Sequence, residues 1–131
     1  NRVQPGKRPL SSMSPMIALD RDDRPRLIIG SPGGTRIIGY VAQRVADVLM
    51  RGREIKPAIE AGNLVNRNGA TQVEAGTEAQ ALAPHLEALG HEVEVETMTS
   101  GLHGIERLSD GVIRGAADPR REGTVGRPGP P

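Results

Sequence analysis

An α+β fold is predicted by three features of this chain. Two short apolar runs, Met16-Ile17-Ala18-Leu19 and Leu27-Ile28-Ile29, flank the charged stretch Asp20 to Pro25, the pattern of a β-hairpin with a polar tip. From Thr35 to about Met50, Ile37, Ile38, Val41, Val45, Val48 and Leu49 recur at helical spacing. His91 to Thr97 alternates strictly, with Val93 and Val95 facing inward and Glu92, Glu94 and Glu96 outward. Strands and helices of this kind in one short chain predict sheets that are mainly antiparallel, with helices packed on them.

Residues 1–9 hold Arg2, Lys7, Arg8 and two prolines, an extended basic segment. Ser11, Ser12 and Ser14 follow, closed by Pro15. This is either plain turn chemistry or a set of hydroxyls able to orient a carboxylate without adding a buried charge. The two strands of the hairpin are apolar on both faces, which predicts a sheet covered on both sides. An antiparallel return also brings the serine cluster and the residues after Ile29 to the same end of the sheet. Those residues are Gly30-Ser31-Pro32-Gly33-Gly34-Thr35, where a strand hands over to a helix N-terminus. Such a junction presents unpaired N–H groups and the positive end of a helix dipole, and two glycines let bare backbone approach a ligand. The alternatives are an anion or oxyanion site and a tight turn that binds nothing.

Along the helix, Gln43, Arg44, Asp47 and Arg51 fall largely on the polar face, and Gly52 is a stop signal. Pro57 suits the first turn of a short helix through Ala61, ended by Gly62. Residues 62–71 read as a polar loop and Gln72-Val73-Glu74 as a brief strand. Glu78 to Leu89 is helical, with Pro84 either kinking it or starting a second helix. Leu102 to Leu108 and Gly111 to Ala116 form two further strands around Ser109-Asp110-Gly111. Asp118-Pro119-Arg120-Arg121 reads as a turn or as an Asp–Arg pair pinning the last segment, and residues 127–131 as a disordered tail.

Composition narrows the function classes. With 131 residues this is one domain or a piece of one. Seventeen basic and 16 acidic residues give no bulk attraction to nucleic acid. The single aromatic residue, Tyr40, rules out base-stacking platforms and leaves an aliphatic core that suits part of a larger packed body. No cysteine is present, which removes disulfides and thiolate nucleophiles. No apolar run is long enough to span a membrane. His85, His91 and His103 lack metal-ligand spacing, and the Gly30-to-Gly34 loop matches neither a P-loop nor a dinucleotide fingerprint.

The spaced pair PGKRPLSSMSP and GSPGGTRII resembles the small subunit of the gamma-glutamyltransferase (gamma-glutamyl transpeptidase) family of N-terminal-nucleophile hydrolases. RNGATQVEAGTEAQALAPHLEALGH, SGLHGIERL and GAADPRREG extend the likeness to residues 1–126, identified as the C-terminal portion of a small-subunit-like domain. The resemblance implies a four-layer αββα sandwich and transfer or hydrolysis of the γ-glutamyl group of glutathione or a related γ-glutamyl amide. A threonine acyl-enzyme carries the reaction, with no metal or organic cofactor. It also implies that Gly33 and Gly34 form the oxyanion hole and that Ser11 and Ser12 contact the donor α-carboxylate. The family's N-terminal threonine has no match here. The nucleophile is therefore expected from upstream small-subunit residues, the other partner being the large subunit of the same precursor. A catalytically inactive remnant or γ-glutamyl-binding scaffold is the alternative. The segment at 62–71 departs from the family's Pro-Arg-containing stretch, which leaves acceptor preference open. Periplasmic or secreted location is implied by likeness alone.

Overall fold

The structure, a computed structural model, describes residues 2–126. The tail expected at 127–131 lies outside them. Strands β1 (Met16–Leu19) and β2 (Pro25–Gly30) pair antiparallel with Met16 opposite Ile29, so the hairpin forms as predicted. Its tip is closed by the Asp20 carboxylate, which accepts the Asp22 amide at 2.9 Å and the Arg24 amide at 3.0 Å. A short 3₁₀ turn (Gly34–Arg36) leads into α1 (Ile37–Val45), continued by one π-helical stretch (Ala46–Met50). Helix α2 (Ile55–Glu60) carries Pro57 in its first turn, where a missing N–H costs nothing.

Next come β3 (Leu64–Asn66) and β4 (Thr71–Glu74), a second 3₁₀ turn (Glu78–Leu82), α3 (Ala83–Ala88) and β5 (Val93–Glu96). Strands β6 (His103–Arg107) and β7 (Ile113–Ala117) complete the chain. Pro84 opens a second helix rather than kinking the first. The four-stranded sheet has the order β1-β2-β6-β7 and is antiparallel throughout. The smaller sheet has the order β3-β4-β5, with β4 and β5 parallel.

Helices α1 and α2 cover one face of the large sheet. Leu27 and Ile29 point from β2 into a core with Ile37, Tyr40, Val41, Val48, Ile55, Ile59 and Leu102, all buried. At about 25 cal/mol per Å² of apolar surface, this aliphatic cluster is the chief source of cohesion. The approach is close: a Cβ at Gly104 would sit 2.9 Å from Ile55 Cδ1. The opposite face was expected to be covered too, and among the described residues it is not. Ile17, Ile28 and Ile105 form one rung across three strands, and Ile17 is 62% exposed, Ile113 69%. Among the described residues, the segment around Val125 lies over Gly115 on this face.

Three local expectations are corrected. Residues 64–66 are a strand, not loop, because β4 supplies a ladder and the Gln43 side chain bonds both polar groups of Leu64, accepting its N–H at 3.2 Å and donating to its carbonyl. Arg44 and Asp47 are buried rather than on a solvated face, since α1 packs against β3 as well as β2. Val95 is 47% exposed while Glu96 is half-buried, reversing the predicted inward face at the end of β5, because Glu96 turns in to meet Arg36 at 2.7 Å. No helix among the described residues is long and apolar enough to cross a membrane.

Candidate active site

The Gly33-Gly34 loop is held at both ends. Ser31 Oγ accepts the Gly101 amide at 3.2 Å, and Pro32 lies so close to Gly101 that a Cβ there would meet it at 2.7 Å. Beyond the loop, the Arg36 amide donates to the Gly33 carbonyl at 3.2 Å, starting the first helical turn. Gly33 has φ 143° and Gly34 φ 60°, both in the left-handed half of the map that glycine alone visits without penalty. Gly33 is also enclosed: a Cβ would lie 2.7 Å from the Tyr40 ring, which is buried, whereas one at Gly34 would meet nothing. Among the described residues no acceptor bonds the Gly33 or Gly34 amide. They lie at the positive end of α1 and its lead-in turn, geometry suited to a developing oxyanion.

The serine cluster leaves the same end of the hairpin. Pro15 lies against Gly30, and Met16 pairs with Ile29, so residues 11–14 begin where the glycine loop also begins. Ser11 is exposed, its Oγ accepting the Met13 amide at 3.2 Å; Ser12 is half-buried, and its carbonyl accepts Ser14 Oγ at 3.0 Å. Among the described residues neither the Ser11 hydroxyl hydrogen nor the Ser12 hydroxyl is donated to an acceptor. Among the described residues no group of three or more acidic or histidine side chains could hold a metal ion.

Beneath the loop lies a buried polar network that the sequence showed only in part. Of the readings open for residues 118–121, an Asp–Arg pair is present, between Asp118 and Arg120 at 3.1 Å. It is the edge of a larger cluster. Arg120 also binds Glu74 through Nη2 at 2.8 Å, and reaches the Ala61 carbonyl at 3.0 Å. Asn63 Nδ2 donates to Glu74 at 2.8 Å and to Ser100 Oγ at 3.1 Å, while Ser100 Oγ donates to Asp118 at 2.6 Å. Arg44 Nη2 donates to Asn63 Oδ1 at 3.0 Å and Arg44 Nη1 to Asp47 at 3.1 Å. No spacing rule links residues 44, 63, 74, 100 and 118. Only the long-range pairing of β4 and the return of the chain after β7 assemble them.

Burial pushes the Asp118 carboxyl upward, but the Ser100 hydroxyl, the Arg120 and Leu102 amides and the Arg120 guanidinium together outweigh it and hold it below its ordinary value of 3.8. The unfolded chain therefore takes up this proton first as pH falls. Stability from Asp118 is complete above about pH 4 and is lost as pH drops through the lowered folded value. Urea denaturation between about pH 4 and pH 2.5 is expected to show this loss, and Asp118→Asn to flatten it. An unchanged slope in that variant would assign acid sensitivity to other carboxylates.

Comparison with known proteins fixes the family. The family profile described as Gamma-glutamyltranspeptidase matches residues 1–127. The glutathione hydrolase proenzyme of Bacillus subtilis (strain 168) is 37% identical over 130 residues, covering 95% of this chain and 22% of that protein. The glutathione hydrolase proenzyme of Escherichia coli (strain K12) is 38% identical over 122 residues, covering 92% of this chain and 21% of that protein. The crystal structure of the T380A mutant of Helicobacter pylori gamma-glutamyltranspeptidase superposes with a TM-score of 0.81 at 30% identity, over 91% of this chain and 66% of that one. The chain thus spans about a fifth of the length of the curated relatives it matches. Sequence profile, identity along nearly all the chain and a shared α+β fold agree: the chain belongs to the gamma-glutamyltranspeptidase family of N-terminal-nucleophile hydrolases.

Proposed function

We propose that these residues form half of an acyl-transfer site that moves the γ-glutamyl group of glutathione, or a related γ-glutamyl amide, to water or to an amine. The carrying observation is the pair of unbonded amides at Gly33 and Gly34, fixed at the entry to α1. In this reading a threonine hydroxyl from outside these 131 residues, activated by its own α-amine, attacks the γ-carbonyl. Its oxygen becomes an oxyanion facing the two amides, the amine departs, and the acyl-enzyme is resolved by the acceptor. Ser11 and Ser12 hold the donor α-carboxylate, which positions the carbonyl rather than polarising it. The uncovered rung Ile17-Ile28-Ile105 supports the same reading: an apolar face of this kind is suited to the second sheet of a sandwich contributed by the rest of the precursor, including its large subunit.

The test uses the protein with its upstream sequence and a chromogenic γ-glutamyl anilide. Turnover is expected there and not from residues 1–131 alone. Replacing Ser11 and Ser12 together with alanine is expected to raise KM for the anilide by roughly 10- to 100-fold, the worth of one or two hydrogen bonds to a charged group, with a smaller change in kcat. Unchanged KM and kcat would remove the serines from the site, and turnover by the chain alone would refute the external nucleophile.

A further inference from the structure

We infer that Arg67 is a specificity-determining residue that binds a carboxylate on the far side of the scissile bond, on the leaving group or the acceptor. The inference rests on Gly33 and Gly34 being the oxyanion site. Arg67 stands at the start of the β3–β4 turn, which is held from within. Asn66 Nδ2 donates to the Gly69 carbonyl at 3.0 Å and to Thr71 Oγ1 at 2.8 Å, and Asn66 Oδ1 accepts the Asn68 amide at 2.9 Å. From this turn Arg67 Nη1 reaches Thr35 Oγ1 at 2.5 Å, on the residue that follows Gly34. Its other bond, Nη2 to Gln72 Oε1, is long at 3.5 Å.

Both partners of Arg67 are neutral. The neighbouring guanidinium, Arg36, is already neutralised by Glu96 at 2.7 Å and donates through Nε to Gln72 at 3.0 Å. Among the described residues Arg67 has no carboxylate partner, its side chain is exposed, and only two of the five N–H groups of a guanidinium are engaged. A planar fork tethered to Thr35 at the lip of an oxyanion loop, without a carboxylate in ion-pair contact among the described residues, is suited to a bidentate carboxylate. The serines come from the lead-in to β1, at the hairpin end where β2 runs into the glycine loop, whereas Arg67 reaches Thr35 from the second sheet. One fits the donor's α-carboxylate; the other is left for whatever lies beyond the amide nitrogen.

Two arms separate the sources. Glutathione releases a dipeptide with a carboxylate, whereas a neutral γ-glutamyl anilide does not. With the protein including its upstream sequence, Arg67→Gln is expected to raise KM for glutathione about tenfold while leaving KM for anilide hydrolysis within about twofold, and Arg67→Lys to recover part of the loss. In the acceptor arm, KM for glycylglycine rises and that for glycylglycinamide does not. A change in one arm alone assigns the carboxylate to that group. Equal changes for charged and neutral compounds, or none in either arm, would overturn the inference while leaving the proposed function standing. If the parent protein turns over neither donor, the functional reading itself fails. Titration of the protein with glycylglycine then decides for Arg67: movement of its Nε–H resonance, absent with glycylglycinamide, supports carboxylate binding, and no movement overturns it.

Discussion

Replacing Arg120 with methionine is expected to destabilise the protein by about 3–5 kcal/mol, the largest stability loss of any single substitution considered. Methionine keeps the volume and removes the charge. What remains is Glu74 and Asp118, both buried, facing each other's surroundings without a cation. The carbonyls of Ile59, Glu60 and Ala61 at the end of α2 also lose the donor that closes them. One side chain thus ties three segments together: the helix end, β4 and the chain after β7. Adding Glu74→Gln to the variant should recover part of the loss, because a buried neutral amide is less costly than a buried unpaired carboxylate. Urea denaturation of the two single variants and the double gives the coupling directly. A loss under about 1 kcal/mol for Arg120→Met, on the scale of a surface pair, would show that the network is solvated rather than structural.

That network also marks where the sequence stops being informative. The hairpin, the start of α1 and the turn before β7 were legible because each depends on neighbours in sequence: alternation, apolar spacing, a glycine or proline at a set offset. Arg44 was not. Its position on α1 matches a solvated stripe, and it becomes interior only because β3 lies across that side of the helix. β3 itself was hidden because three residues with one buried apolar side chain leave no period to read, and its pairing comes from β4 and from Gln43. The apolar residues on both faces of β1 and β2 were legible as a demand for cover on both sides, and the described residues meet that demand on one side only. The candidate site was legible as two motifs. That they share one end of a hairpin followed from the antiparallel return, whereas the approach of Arg67 to Thr35 depends on long-range packing that no local pattern encodes.

Gly33→Ala, in the protein with its upstream sequence, is expected to lower kcat for γ-glutamyl anilide hydrolysis by about 10²–10³-fold, the loss that follows when one oxyanion donor is misplaced. The cause is geometric. A methyl group at residue 33 would sit 2.7 Å from Tyr40 Cε2 and 3.0 Å from Cδ2, and Tyr40 is 1% exposed, so the ring has nowhere to go. The backbone at φ 143° must relax instead, which turns the amide away from the point where charge develops. Gly34→Ala is the matched control. It also forces a positive φ, at a cost of about 1–2 kcal/mol, but its methyl group meets nothing and its amide can stay in place. The expectation is therefore a large loss of kcat at residue 33 and a loss within about tenfold at residue 34. Adding Tyr40→Leu to Gly33→Ala makes room for the methyl group and should restore both stability and kcat in part, the remaining loss coming from the strained φ. Equal kcat losses for the two glycine variants would mean that positive φ alone governs the loop, and no recovery of kcat by Tyr40→Leu would rule out the clash with the ring as the cause.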